Sequence, residues 1–570
     1  MIRAFIIAAA ATLLLGAAKV PTVDYRLGAT AVAGQPPVLD VELRFPGDAD
    51  GETRLELPNQ FASGREAWRY VSGLTVKGAS VAEGGPAVRV LRHRPREKIT
   101  VRYRVQTAYA QDPVGADGNP YKGPLIRPDW FALMGEFVFA NPEGRGAQPA
   151  TFRWGRLPKG WRVASDLEHG RMGRAMSVDD VAQSITMGGT RLVLVERPIP
   201  GGTLRFATPE GGPYPPASIA DQLASVVAAQ RAYWNDLAEP YFVGLVPLAS
   251  EKKWKSAGGT GRDDGFVFYV TEGVSDYLRW TMAHEHIHTW IAGRTGGMGG
   301  KDGALRYWFS EGFTDFFAIR TMVRAGLMTP EEAVIRLDAA LRGYDANPLK
   351  TAPGSRILAD FWKDQNAEKL PYQRGQLLAL KWDEEIRRKT GGKADLDDVI
   401  LRMRDHYREF PPGQGPDVVT GLVSAAWVVA KMDLRPDIAR HADGGAPIVL
   451  PETLFDGCLD ARVTVSPGFD SGFDHAASAA AKVAKGVRRG GPAWNSGLRD
   501  GMRIDGMDLK AGDVTREIVL IVRPATGRTK PRTLRYWPYG DNDVEARTLQ
   551  LAMDLSDDRL AACGRKLGGL

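Results

Sequence analysis

Residues 280–290, Trp-Thr-Met-Ala-His284-Glu285-His286-Ile-His288-Thr-Trp, contain an HExxH motif formed by His284, Glu285 and His288. On a helix, positions four apart share a face, so His284 and His288 can both reach one Zn²⁺ at about 2.0–2.1 Å. Glu285 then points at the remaining coordination site. Two neutral imidazoles leave the ion net positive, which acidifies a bound water, and Glu285 can take that proton as the water attacks a carbonyl. His286 faces away and is given no role. The competing reading is a helix with ordinary core or surface histidines, against which stands the scarcity of the residue, 8 His in 570.

A third ligand lies downstream in RYWFSEGFTDFF, residues 306–317, where Glu311 follows His288 with 22 residues between them. A Gly-rich turn, AGRTGGMGGKDG, spans part of that gap. Asp315 is one helical turn beyond Glu311, placed to accept the second N–H of a ligating His and fix its tautomer. The alternative for Asp315 is a solvated helix carboxylate.

Together, HEHIH and WFSEGFTDFF resemble the gluzincin metallopeptidases, and more narrowly the glycyl aminopeptidase family, metallopeptidase family sixty-one. The resemblance implies one Zn²⁺ per chain and a thermolysin-like, mainly helical catalytic domain, with a β-rich domain before it and a PDZ domain after it. LPYQRGQLLALKWDEEIRR, residues 370–388, is similar to the family's segment opening a helix, and by that resemblance Tyr372 donates a hydrogen bond to the oxyanion. Arg374 stands where the family has Lys. The family also carries a Glu on a Gly-rich strand edge, which pairs with the substrate's α-ammonium group. Here GGTGRDDGFVFYVTEG, residues 258–273, supplies only Asp263 and Asp264 as candidate amine-binding groups, Asp264 being the better placed.

Outward from this centre the chain divides. Residues 1–18 read as a Sec signal peptide, with Arg3, an apolar run from Ala4 to Leu15, and small residues up to Ala18. The run is shorter than the roughly 20 residues needed to cross a bilayer, so a periplasmic or secreted chain without a stable membrane anchor is expected. Residues 19–206 contain short alternating runs such as VLDVELRF, KITVRYRV, RLVLVER and TLRFAT, which predict a β-sandwich-like domain. From 207 to 452 the period becomes helical, with Thr329, Pro330 and Glu332 forming an N-cap, a first-turn proline and a capping box.

Residues 453–570 return to strands, and GGPAWNSGLRDGMRIDGMDL resembles a PDZ signature at Ala493, Gly497, Leu498, Gly501 and Ile504. Such a module can bind a peptide at a sheet edge. Cys458 and Cys563 bracket it, and either pair or remain two separate buried thiols. The expected class is thus multidomain α+β.

The net charge is +6 and the pI near 9.1, but the 74 basic and 68 acidic residues intersperse along the chain, and no nucleic-acid footprint is read from them. Three functions fit the sequence: a zinc aminopeptidase, an endopeptidase using the same site, and a PDZ-based peptide-binding scaffold with a non-catalytic metal. For either enzyme the partner is a peptide or protein substrate.

Overall fold

A computed structural model describes residues 21–570 apart from 33, 62–63, 113–119, 121, 169–175, 238–239, 249–256, 263–264, 299, 411–413, 526–529 and 554. The expected signal peptide, 1–18, and the candidate amine-binding Asp263 and Asp264 lie outside the described residues.

The chain is a multidomain α+β protein with a β-rich N-terminal region and a helical region. Period-two patterning drives the first. In Gln35–Pro46, Leu39, Val41, Leu43 and Phe45 are buried while their neighbours are not, as alternation on a half-covered strand requires. That strand sits in a five-stranded sheet beside Val23–Val32 and Lys98–Val105, and shares a core with a four-stranded sheet containing Glu52–Glu56 and Val88–Arg92. A third sheet, including Trp130–Met134 and Ile185–Gly189, bridges to the rest of the molecule.

The sheet that carries the candidate site has five strands: β1 (Leu192–Ile199), β2 (Gly202–Pro209), β3 (Tyr241–Pro247), β4 (Ala257–Arg262) and β5 (Gly265–Val270). Their order is β1-β2-β3-β5-β4. The runs RLVLVER and TLRFAT, grouped by sequence with the N-terminal domain, therefore belong to this sheet. The reason is pairing: β2 lies parallel to β3, with Phe206 beside Val243, and helix α1 (Pro216–Trp234) makes the crossover between them. Alternation identifies a strand but not the sheet that accepts it.

Both faces of this sheet are covered. Leu204, Phe206, Tyr241, Val243, Phe266 and Phe268 pack under α1 and α2 (Ser275–Ile287), whereas Phe242, Val246 and Val267 pack on Trp130, Ile185 and Met187 of the third sheet.

Helices α3 (Thr314–Arg324), α4 (Pro330–Ala346), α5 (Gln365–Thr390), α6 (Leu396–Tyr407) and α7 (Val418–Ala430) form the helical core with α1 and α2. Thr329 and Glu332 cap α4 reciprocally, at 3.2 and 2.9 Å. Helix α5 begins at Gln365, capped by Asp364 (2.7 Å), seven residues ahead of Tyr372, and runs through Pro371. The segment around Tyr372 is thus helix interior rather than a helix opening.

The segment 453–570 contributes to two separate cores. Strands β6 (Leu459–Phe469) and β10 (Tyr539–Leu551) form a long ribbon whose base packs on the helical core, as does α8 (Asp557–Leu567). At the ribbon's far end a small sheet, β7 (Arg503–Asp508), β8 (Ile518–Arg523) and β9 (Arg532–Tyr536), has its own core containing Ala493, Leu498 and Ile504. Cys458 and Cys563 are joined as a disulfide with Cα atoms 5.5 Å apart, buried in the helical core. The bond ties the ribbon's base to α8 rather than to the small sheet.

Candidate active site

His284, Glu285 and His288 lie at the C-terminal end of α2, where helical spacing puts both ligand candidates on one face. His284 Nε2 and His288 Nε2 are 3.2 Å apart, and each lies near Glu311 Oε2, at 3.5 and 3.6 Å. A tetrahedral ion with bonds of about 2.0–2.1 Å separates its ligand atoms by roughly 3.4 Å. The three groups are therefore spaced as a zinc site requires, and they are the group among the described residues able to hold an ion.

Electrostatics point the same way. Burial opposes a charge on His284, but hydrogen bonds to Asp315 and Glu311 outweigh it and push its pKa well above the ordinary value. The carboxylates draw positive charge into the pocket. Glu311 is held well below the usual carboxylate range, burial being overcome by His288 and His284.

Glu311 sits in a widened helical turn, Trp308–Phe313, that runs directly into α3. Asp315, on the first turn of α3, meets His284 Nδ1 at 2.8 Å. With that nitrogen donating to a carboxylate, Nε2 keeps its lone pair for a metal. Thr314 Oγ1 approaches His288 Nδ1 at 3.5 Å and donates to the Ser310 carbonyl at 2.5 Å. Thr314 was not singled out by sequence, although its place three residues beyond Glu311, on the same helical face, would have been the signal.

Tyr372 reaches the site from α5. Its ring lies nearly parallel to His284, centroids 6.0 Å apart. Burial, followed by the charges of Glu311 and Asp315, raises its pKa, so the phenol stays protonated and able to donate. The crossing that brings it there rests on two glycines. A Cβ on Gly312 would stand 2.3 Å from Gly375 Cα, and one on Gly375 would stand 1.6 Å from the Trp308 carbonyl oxygen. Arg374, one residue earlier, is buried and donates to the carbonyls of Lys350 (3.0 Å) and Ala352 (2.5 Å), a packing role away from the pocket. His286 is buried on the opposite side of α2, with Nδ1 2.6 Å from Gln230 Oε1.

Glu285 carries a pKa raised first by burial, with Glu311 adding to it and the histidines and the Gly261 backbone N–H opposing. Strand β4 crosses directly over it. A Cβ on Gly259 would lie 2.5 Å from the Glu285 carboxylate, and one on Gly261 would lie 2.5 Å from His288 Cβ. The glycines of this strand therefore let backbone touch the helix where any side chain would hold it off. β4 is the outermost strand of its sheet. At its end Arg262 makes a two-pronged pair with Glu136 of the N-terminal region, at 2.9 and 3.1 Å, and its guanidinium lies 4.1 Å from the Phe61 ring centre. Nothing in the sequence linked residues so far apart.

The M61 glycyl aminopeptidase family model matches residues 277–356, a stretch holding His284, Glu285, His288, Glu311 and Asp315 but ending before Tyr372. No curated protein matches the chain. Among solved structures, an aminopeptidase N family protein from Idiomarina loihiensis is similar at TM-score 0.67 and 15% identity, over 95% of this chain and 100% of that one. An M1 zinc metallopeptidase from Deinococcus radiodurans aligns over 76% of this chain and 96% of its own, at 18% identity and TM-score 0.48. The family match on the HExxH and Glu311 segments, on a fold shared with the Idiomarina protein, makes this chain an enzyme of the peptidase class.

Proposed function

We propose that the chain is a zinc-dependent peptidase of the glycyl aminopeptidase type, hydrolysing the amino-terminal bond of a peptide. The observation that carries this reading is the convergence of three ligand atoms within 3.2–3.6 Å of one another, with Glu285 and Tyr372 beside them. When bound by His284 Nε2, His288 Nε2 and Glu311, Zn²⁺ would supply an acidified water and a Lewis acid for the scissile carbonyl.

The remaining chemistry belongs to the chain. Glu285 accepts the proton of the attacking water and returns it to the leaving amine, a double duty that suits a carboxyl raised by burial. The Tyr372 O–H donates to the oxyanion as it forms. Asp315 holds His284 in the tautomer that leaves Nε2 free. The outer edge of β4 offers its backbone to an extended substrate, which can lie along it as an added strand.

A second reading, an endopeptidase using the same pocket, is favoured by the Arg262–Glu136 pair, since Arg262 neutralises the carboxylate at the end of β4. One comparison separates the two: turnover of aminoacyl amides against the same peptides acetylated at the amino group, with and without a chelator. The aminopeptidase reading expects acetylation to abolish turnover, and unchanged rates would replace it with the endopeptidase. If neither substrate is cleaved by zinc-loaded protein, or if Glu285→Ala is equally active, the peptidase mechanism itself is wrong.

Two features accompany this reading. Burial of Ala493, Leu498 and Ile504 in one small core supports a PDZ-like module, for which a peptide added at the β7 edge is the fitting ligand. The Cys458–Cys563 bond supports export to an oxidising compartment, periplasmic or extracellular.

A further inference from the structure

The positive charge of this chain is concentrated in its smallest structural unit. From Phe473 to Tyr536, the span of the core around β7–β9, there are 13 Lys and Arg against 6 Asp and Glu, a net of +7. The remaining residues, 61 against 62, have a net of −1. The even mixing read along the whole chain is the average of two unlike parts.

Three of these cations, Arg489, Arg499 and Arg532, stand by the turn Pro492–Asn495, and Lys482 and Lys485 precede it, whereas Lys510, Arg516, Arg523 and Arg535 pair with carboxylates. Asn495 Nδ2 donates to the Gly490 carbonyl at 2.9 Å, which keeps Arg489 beside the turn. Arg499 stacks 3.6 Å from the Trp494 ring centre, and Arg532 donates to the Gly497 carbonyl at 2.8 Å. Lys482 and Lys485 lie on the adjoining stretch, where the Lys482 carbonyl accepts the Ile504 N–H at 3.0 Å. Lys482, Lys485, Arg489, Arg499 and Arg532 are all exposed, and among the described residues no carboxylate lies within ion-pair distance of them.

Two exposed aromatic rings stand beside Arg488, the chain neighbour of Arg489. Arg488 pairs with Asp470 and Asp541, and the Asp470 N–H donates to the Pro538 carbonyl at 2.8 Å. That contact brings alongside it the stacked rings of Trp537 and Tyr539, 5.6 Å apart and each 44% exposed.

We infer that this unit is a docking surface for an anionic phospholipid bilayer. Unneutralised cations beside exposed Trp and Tyr rings match the layer where headgroup phosphates meet hydrocarbon. An acidic peptide would use the cations alone, and the Trp537 and Tyr539 rings are stacked on each other rather than open between them to a nucleobase. No described helix is long and apolar enough to cross a membrane.

The test uses the purified full chain with vesicles of phosphatidylcholine, alone or mixed with about a third phosphatidylglycerol, followed by co-sedimentation and by quenching of tryptophan with brominated lipid. Binding is expected only to the anionic vesicles, weakening about tenfold or more between low and physiological salt as the charges are screened. Lys482→Glu combined with Lys485→Glu and Arg489→Glu, all exposed and unpaired, should abolish it without changing turnover of a soluble peptide. Trp537→Ala with Tyr539→Ala should keep the salt-sensitive binding but lose the lipid quenching. Absent binding, equal binding to neutral vesicles, or full binding by the charge-reversed variant would overturn the inference. So would tighter binding to a single-stranded oligonucleotide or to polyglutamate than to anionic vesicles.

Discussion

The Nδ1 proton of His284 has a dedicated acceptor in Asp315 Oδ1, 2.8 Å away, and that single contact decides which nitrogen faces the pocket. Asp315→Asn keeps the shape but removes the charge, so zinc affinity should fall roughly 10–100-fold, measured by competition with a chromophoric chelator. His286, between the two ligands in sequence, behaves oppositely. Burial, then Arg231 and Arg294, push its pKa well below the ordinary 6.5. A depressed folded-state pKa contributes stability that is present above about pH 6.5 and lost as the pH falls below it, where the unfolded chain takes up a proton the folded chain refuses. Urea midpoints should therefore decline on the acid side, and His286→Gln should flatten that decline.

At the level of elements, the glycines are what bring the site together. Gly259 and Gly261 let β4 touch α2, and the Gly312–Gly375 crossing lets α5 present Tyr372. Gly375→Ala would force a methyl group against the Trp308 carbonyl, an overpacking expected to destabilise by about 3 kcal/mol or more. The folded remainder should bind zinc normally yet turn over slowly, because Tyr372 is displaced while the ligands are not. Thermal unfolding, metal content and kcat measured on one preparation would separate these effects.

The same division separates what one sequence displays from what only the fold brings together. His284, Glu285, His288 and Asp315 were legible because helical spacing is local. Tyr372 was legible only through a family resemblance, since its approach depends on two helices crossing at two glycines. The placement of β1 and β2, and the Arg262–Glu136 pair, depend on which distant segment accepts them, and one sequence does not display that.

At the scale of the whole molecule, the C-terminal helix α8 is a working part of the helical core. Cys563 on α8 is bonded to Cys458, and the Leu567 carbonyl accepts from Arg320 Nε at 3.3 Å. Arg320 lies on α3, the helix that begins with Thr314 and Asp315, and also pairs with Asp383 at 2.7 Å. Opening the disulfide frees a loop with a sequence separation of 105 residues, for which chain-entropy arguments give about 5 kcal/mol. Reduction by a membrane-permeant thiol reagent should lower the urea midpoint by a corresponding amount, and the Cys458→Ala/Cys563→Ala variant should reproduce the loss and no longer respond to reductant.

The ribbon of β6 and β10 carries a further consequence for how such a chain diversifies. The small unit enters and leaves through Phe469 and Tyr539, which are paired neighbours, so whatever lies between them is joined to the catalytic part at one doorway. Lengthening or shortening a loop anchored at such a doorway alters closure entropy only logarithmically. Descendants can therefore exchange the cargo at the ribbon's tip while inheriting the hydrolytic machinery unchanged, and the two halves of the molecule are free to evolve at different speeds.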